Sequence, residues 1–151
     1  MKFFILAIVL ISFSLPQHGN YRLTVIVNNI KPLKGELYVA LHQRQEFFNI
    51  PDSALMKSSV KIDAQTETVI FKHVPAGNYA LAVYHDENMN GSLDVSEIGI
   101  PREGYAFSGK NKGPGKPKFE EAVFELAGND TISLKMVYHP VPPPKKEGEK
   151  K

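Results

Sequence analysis

The sequence predicts an all-β fold, an antiparallel β-sandwich of about seven short strands. Apolar residues alternate with polar ones in several segments, which is the period of a half-buried strand. Gly and Pro, with 11 residues of each, punctuate those segments as turns do in a sandwich. The length of 151 residues is typical of one domain. No unit of about 20–50 residues repeats, which argues against a solenoid.

Seven segments carry the alternation, beginning with one in which Leu23, Val25 and Val27 share a face. Pro32 marks the turn that follows this segment, because its fixed φ suits a reversal of the chain. The predicted strands cover residues 23–27, 37–41, 60–62, 69–73, 79–83, 122–126 and 132–138. Residues 52–57 are predicted to form a helix of at most about two turns.

Composition and charge exclude several classes of function. The 18 Lys and Arg residues against 16 Asp and Glu residues give a net charge of +2, too small for a dedicated nucleic-acid binder. The hydrophobic content of 42% is typical of a folded domain. The absence of cysteine excludes disulfides, thiolate zinc sites, cysteine nucleophiles and lipid attachment through an N-terminal cysteine.

The first part of the chain, residues 1–19, is predicted to be a signal peptide. Lys2 precedes an apolar run over residues 3–15, which is shorter than the roughly 20 residues that a membrane span needs. Ser12 and Ser14 have the spacing that cleavage sites prefer. We therefore expect a secreted or periplasmic protein with no membrane span after cleavage. A buried first strand or an uncleaved anchor is the alternative.

The last part of the chain, residues 139–151, is predicted to be a flexible tail rich in Pro and Lys. Clustered prolines favour an extended conformation without a packed face, and the lysines repel one another. The tail is either a frayed terminus or an electrostatic tether to an anionic wall or membrane. The β-sandwich domain between the two ends is predicted to cover residues 20–138 and to be monomeric.

The clearest chemical signal is the calcium-loop pattern D-x-[DN]-x-[DN]-G-x5-E, which residues 86–97 match at every specified position. Ca²⁺ prefers about six to eight oxygen ligands, and this spacing supplies them from one short loop. The predicted metal ligands are Asp86, Asn88, Asn90, Ser92 through its carbonyl, Asp94 and Glu97. The two Asn residues lower the charge of the site, which favours an affinity of about 10⁻⁴–10⁻³ M.

The surroundings of this loop differ from a helix-loop-helix hand. A predicted strand leads into it, and Gly99 and Pro101 end any helix that would leave it. We therefore expect a structural calcium ion rather than a conformational switch. The alternative is a metal-free surface turn, since Asp, Asn, Gly and Ser also form such turns.

The segment after the loop combines aromatic residues with lysines. Such a combination could hold the face of a sugar or an acidic glycan, and the alternative is a solvated lysine-rich loop. The candidate ligand-binding residues are Tyr105, Phe107, Lys110, Lys112, Lys116 and Lys118. Calcium could order the preceding loop and so position this segment. The expected partner is a glycan or another envelope protein.

Enzymatic interpretations find less support. Ser108, His85 and Asp86 could be combined into a hydrolase triad, but Ser108 lacks the G-x-S-x-G setting of a nucleophile elbow. Glu120 and Glu121 are adjacent, and adjacent strand residues point to opposite faces. We expect no enzyme activity. A hydrolase of the envelope and a passive structural domain remain the alternatives to a binding module.

Three motifs occur in order along the chain, in residues 75–80, 85–94 and 99–108. They resemble the DUF2141 family, exported bacterial domains of unassigned function, and the likeness covers nearly all of residues 23–138. The resemblance implies an immunoglobulin-like or prealbumin-like sandwich, in agreement with the strand pattern. It implies no established enzyme activity.

Overall fold

Eight strands and two short helical segments make up the ordered elements of the computed structural model, which describes residues 19–48, 50, 53–110 and 116–140. The strands are β1 (Asn20–Asn28), β2 (Glu36–His42), β3 (Met56–Lys61), β4 (Thr66–Pro75), β5 (Gly77–Asp86), β6 (Tyr105–Phe107), β7 (Phe124–Leu126) and β8 (Asp130–Lys135). A 3₁₀ turn covers Gln45–Phe47, and α1 covers Phe119–Ala122.

The first sheet has the order β4-β1-β8. β1 and β4 are antiparallel, with Val25 opposite Val69. β1 and β8 are parallel, with Val25 opposite Ile132. The central strand is therefore the one that begins the described chain, and the last strand lies directly beside it.

The second sheet has the order β3-β2-β5, and both β6 and β7 pair with β5. β7 pairs with the beginning of β5, at Gly77–Tyr79, and β6 pairs with Ala82–Tyr84. All of these pairs are antiparallel. β5 is therefore the central strand of this sheet. The predicted calcium loop begins at Asp86, the last residue of β5.

The core lies between the two sheets and is built by alternation. Leu23, Val25 and Val27 of β1 are fully buried and pack with Leu37 and Leu81 of the second sheet. Burial of one large apolar side chain stabilises the fold by about 1.5–3 kcal/mol relative to its exposure. Strand alternation thus places every second residue of β1, β2 and β5 inside and leaves the others on the outer faces.

A second, smaller apolar cluster lies on the outer face of the second sheet. Phe48 and Phe119 meet edge to face at 5.6 Å between ring centroids, and Phe48 also contacts Phe107 at 5.8 Å. These three rings, which we call the aromatic cap, cover Ala80 and Ala122. The cap seals one end of this face against water.

The structure confirms the predicted all-β sandwich, and the first, second and fifth predicted strands lie within β1, β2 and β5. The alternation of Val69 and Phe71 predicts that His73 shares their buried face, which is wrong, because His73 takes a φ of +59° and is exposed while Val74 is buried. This positive φ shifts the alternation by one residue.

Two further expectations need correction. In the described part of 52–57, Met56 and Lys57 belong to β3 rather than to a helix. Ala122, the first residue of the predicted sixth strand, is the last residue of α1, and β7 begins at Phe124. β6 is a further strand that the sequence did not predict. The signal peptide lies almost wholly outside the described residues, as does most of the tail. No helix among the described residues is long and apolar enough to cross a membrane.

Candidate functional site

The loop predicted to bind calcium begins at the buried end of β5. Asp86 is fully buried. Its Oδ1 accepts a hydrogen bond from the backbone N–H of Asn90 at 3.0 Å, and its Oδ2 accepts one from the N–H of Gly91 at 2.7 Å. The φ of Gly91 is +83°, a conformation that favours glycine. The carboxylate of Asp86 therefore holds the loop backbone at its sharp bend.

Two amide side chains close the loop on its second carboxylate. Asn88 Nδ2 donates to Asp94 Oδ2 at 2.7 Å, and Asn90 Nδ2 donates to Asp94 Oδ1 at 3.1 Å. The amide oxygens accept from the backbone: Asn88 Oδ1 from the N–H of Asn90 at 3.0 Å, and Asn90 Oδ1 from the N–H of Ser92 at 2.9 Å. The side chains at positions three and five of the motif therefore meet the carboxylate at position nine, while the carboxylate at position one holds the loop backbone.

Glu103, which the calcium pattern does not contain, holds both arms of the loop. Its side chain is buried, and its Oε1 accepts from the backbone N–H of Glu87 at 2.8 Å while its Oε2 accepts from the N–H of Asp94 at 2.9 Å. Hydrogen bonds to a carboxylate are stronger than those between neutral groups. No chemical motif of the sequence contains Glu103, whose only signal is its place in residues 99–108, one of the segments that resemble the family.

Glu97, the predicted last ligand, lies in an exposed turn. The backbone N–H of Gly99 donates to the carbonyl of Ser96 at 2.8 Å, and the N–H of Ser96 donates to the carbonyl of Ile100 at 2.7 Å. Within the part of the chain that the structure describes, Glu97 forms no hydrogen bond or ion pair. Its role as a ligand stays a prediction.

The converging side chains form a donor set of low charge. Asp86 and Asp94 are carboxylates, whereas Asn88 and Asn90 are neutral amides. Across the described ranges, no group of three or more His, Asp or Glu residues is placed to hold a metal ion. An amide exchanges its oxygen and nitrogen by a half-turn. Each Asn can therefore offer either an N–H to Asp94 or an oxygen to a cation.

Tyr84 connects the loop to the outer face of the second sheet. Its hydroxyl donates to the carbonyl oxygen of Gly91 at 3.2 Å. Its ring stacks on that of Tyr38, with 4.8 Å between centroids and 4° between planes. Burial raises the pKa of Tyr84 to about 12, and the neighbouring Tyr38 and Asp86 act in the same direction. Tyr84 therefore stays protonated over the physiological range and keeps its hydrogen bond to the loop.

A cavity of about 430 Å³ lies on this outer face beside Tyr84. Its wall includes Gly91, Ser92 and Leu93 of the loop. A second cavity of about 330 Å³ shares Tyr84 and Gly91 with it. The predicted calcium loop therefore forms part of the boundary of a concave surface.

The structure brings together three of the six candidate ligand-binding residues. Tyr105, Phe107 and Lys116 all line the 430 Å³ cavity. Lys110 lines a different cavity, and Lys118 lies at the N-terminus of α1. Lys112 falls outside the described residues. Sequence spacing alone could not distinguish these lysines, because the cavity that Lys116 lines is formed by β2, β5 and β6 together with the loop.

The three residues considered for a hydrolase triad are engaged elsewhere. Ser108 Oγ donates to the carbonyl of Ala122 at 2.6 Å and accepts from the N–H of Leu81 at 2.7 Å. The ring nitrogens of His85 contact the Tyr138 hydroxyl at 3.0 Å and the carbonyl of Lys34 at 2.8 Å. No hydrogen bond among the described residues joins Ser108 to His85. Both side chains tie separate segments to β5.

These features define an all-β sandwich domain with a polar loop and a cavity at the end of its central β5 strand. The chain belongs to the DUF2141 family, described as an uncharacterized protein conserved in bacteria, whose sequence model matches residues 25–133. The matched range runs from β1 into β8 and includes the whole loop. No curated protein and no solved structure matches the chain.

Proposed function

We propose that the chain is an exported, non-enzymatic binding module in which the loop at residues 86–97 holds a structural Ca²⁺ ion. Its ligand would be a molecule of the bacterial envelope or its surroundings. The observation that supports the calcium site best is the convergence of the Asn88 and Asn90 side chains on Asp94, at 2.7 and 3.1 Å, within a loop whose backbone Asp86 holds at Asn90. Oxygen-rich side chains at these spacings are what Ca²⁺ requires.

In the proposed site, the cation would bind at the two Asp94 oxygens. Both now accept N–H groups from Asn88 and Asn90, which partly neutralise the carboxylate. A bound Ca²⁺ would replace these two donors, and a half-turn of each amide would direct its oxygen to the ion. The Ser92 carbonyl and Glu97 would complete the set, Glu97 from its exposed turn.

The hydrogen bonds that hold the loop without an ion support a structural role for calcium rather than a switching one. Asp86 and Glu103 together accept four backbone N–H groups of the loop, at 2.7–3.0 Å. Because these contacts already order the loop backbone, binding of the ion would be accompanied by little further folding. Binding with a Kd of about 10⁻⁴–10⁻³ M suits such a site.

Thermal unfolding in calcium tests the proposal. At a concentration about ten times Kd, ligand binding stabilises by about 1.4 kcal/mol, which raises the Tm of a domain of this size by about 4–6 °C. Asp94→Asn should abolish the rise, and Asp63→Asn, which alters an exposed carboxylate outside the loop, should retain it. Magnesium at the same concentration should give a smaller rise, because its octahedral shell suits the loop poorly.

Absence of any Tm change at 10 mM Ca²⁺ (about ten times the weakest expected Kd) would contradict the calcium site. Equal responses in the Asp94 and Asp63 variants would place any bound ion elsewhere. Export is tested separately, by expressing the full chain in a bacterium and determining the N-terminus of the extracytoplasmic product. A product confined to the cytoplasm would contradict export, and an extracytoplasmic product that begins at Met1 would contradict cleavage of a signal peptide.

A further inference from the structure

The outer face of the second sheet contains a row of small residues between two aromatic walls. Ala40 of β2 lies in register with Ala82 of β5. The next row on one side is the stacked pair Tyr38 and Tyr84, which are also in register. On the other side the next row is His42 and Ala80, and the aromatic cap covers Ala80. We call the space over Ala40 and Ala82 the alanine slot.

The slot is the floor of the 430 Å³ cavity, which falls within the range of about 300–1,000 Å³ typical of small-molecule sites. Phe48 and Phe107 contribute ring surface from the cap, and Tyr84 contributes a ring edge from the opposite wall. The Tyr38–Tyr84 stack runs across the strands, so ring edges rather than ring faces point into the slot. The space is therefore suited to a narrow apolar body.

Lys116 provides a positive charge at this apolar space. It lines the same cavity, from the segment just before α1. Within the described ranges it forms no ion pair. Partial burial lowers the pKa of Lys116, because desolvation disfavours its charged form. A bound anion would compensate this loss of hydration.

We propose that the alanine slot binds a small amphipathic carboxylate, with its apolar body over Ala40 and Ala82 and its carboxylate on the Lys116 ammonium. This inference rests on the ligand-binding part of the proposed function and names the site and the class of ligand. It does not require the calcium ion. Ser92 at the rim is exposed, and its hydroxyl and backbone N–H both donate to Asn90 Oδ1 at 2.9 Å.

The same lining disfavours a hydroxyl-rich sugar as the ligand. The Tyr84 hydroxyl is already bonded to Gly91, and the Tyr38 hydroxyl donates to Glu36 at 2.8 Å. Apart from His42, Ser92 and Lys116, the lining consists mainly of rings and apolar side chains. Most sugar hydroxyls would therefore find no partner there, and an unpaired buried hydroxyl costs about 1–3 kcal/mol. An apolar chain or ring with one anionic end leaves no such group unpaired.

Amide NMR titration of the purified protein with three matched probes tests the inference. Phenylbutyrate carries the apolar body and the carboxylate, phenylbutylamine carries the same body with a positive charge, and butyrate lacks the ring. Phenylbutyrate should shift the amides of Ala40, Ala82 and Phe107 in a saturable, one-site manner. The other two probes should bind at least about fivefold more weakly, since each lacks one of the two contacts.

Two substitutions separate the contacts. Lys116→Gln should weaken phenylbutyrate binding about three- to tenfold, the scale of a partly solvated charge-assisted contact. Ala82→Leu should abolish binding by filling the slot. Lys72→Gln repeats the lysine change, and Thr68→Leu introduces a leucine, both at exposed positions of β4 in the other sheet. Both variants should bind as the unaltered protein does.

Equal binding of phenylbutyrate and phenylbutylamine, or an unchanged affinity in Lys116→Gln, would overturn the inference. If the Ala82→Leu protein does not fold, the affinity of Lys116→Gln for phenylbutyrate and the pattern of amide shifts still test the inference. Binding of polygalacturonate in the slot without binding of phenylbutyrate would overturn it in favour of an acidic glycan. If calcium stabilises the protein but phenylbutyrate does not bind, the proposal for the alanine slot is refuted and the calcium site is not. If phenylbutyrate binds but calcium does not stabilise the protein, the calcium site is refuted and the alanine slot is not.

Discussion

Replacing Glu103 with glutamine is expected to loosen the loop at residues 86–97 and to lower the stability of the domain. The carboxylate accepts from the backbone N–H groups of Glu87 and Asp94, at 2.8 and 2.9 Å, from a buried position. A glutamine side chain keeps one acceptor and turns an NH₂ group toward the other N–H. One charge-assisted hydrogen bond is therefore lost and one backbone donor is left facing a donor.

The size of the effect follows from these two contacts. A hydrogen bond to a charged group contributes about 1.5–3 kcal/mol, and both N–H groups belong to half-buried residues that water can partly reach. We therefore expect a loss of about 2 kcal/mol, which corresponds to a fall in Tm of about 8 °C for a domain of this size. Glu103→Ala removes both contacts and should lose more.

Two measurements check this prediction. Chemical denaturation gives the free energy of unfolding, with Glu125→Gln on the exposed side of β7 as the matched control. Amide hydrogen exchange should speed up by about thirtyfold at Glu87 or Asp94, the equivalent of about 2 kcal/mol. A Glu103→Gln protein within about 0.5 kcal/mol of the unaltered one, with unchanged exchange at both amides, would refute the assigned role.

The remaining predictions concern a buried hydroxyl, a glycine and a tyrosine. Ser108→Ala should lower the free energy of unfolding by about 1–3 kcal/mol, measured by urea denaturation, because it leaves two buried backbone groups without partners. Gly35→Ala should be far more destabilising than Gly99→Ala by the same assay. Both glycines have a positive φ, but a Cβ at Gly35 would meet the Asp86 carbonyl oxygen while one at Gly99 would meet open space; equal losses would contradict this. Tyr84 has a pKa of about 12 against its ordinary 10.0, so it contributes stability that is present below about pH 10 and is lost as the pH rises through about 12. Tyr84→Phe should therefore lose less stability between those pH values, and an identical alkaline decline would contradict the assignment.

The strands that the sequence predicts well are those with two chemically different faces. Leu23, Val25 and Val27 are buried because a single core accepts every second side chain of β1, and this is what the alternation encodes. β6 was not predicted, because three residues are too few to show a period. Its pairing with β5 joins residues more than 20 positions apart in the sequence. Short strands of this kind are defined by their neighbours rather than by their own sequence.

In the candidate site, too, the sequence predicts the features that lie within one segment but not those that depend on distant segments. Asp86, Asn88, Asn90 and Asp94 lie within one loop, so their spacing predicts that they converge. Glu103 reaches the loop from outside the pattern. The alanine slot depends on the register of β2 against β5, which places Ala40 beside Ala82. Register is set by the turns and by the buried faces of both strands, and a single strand pattern does not contain it.

The parallel pairing of β1 with β8 determines how the domain could be attached to a surface. Leu23 lies beside Asp130 and Asn28 beside Lys135, so the chain enters at one pole of the sandwich and leaves at the other, roughly 20 Å away along the strands. Asn29 donates to the carbonyl of Met136, and the His85–Tyr138 contact lies next to Asp86 at this exit pole. A domain immobilised through residue 19 would hold the loop at residues 86–97 outward, whereas one immobilised through residue 140 would turn it toward the support.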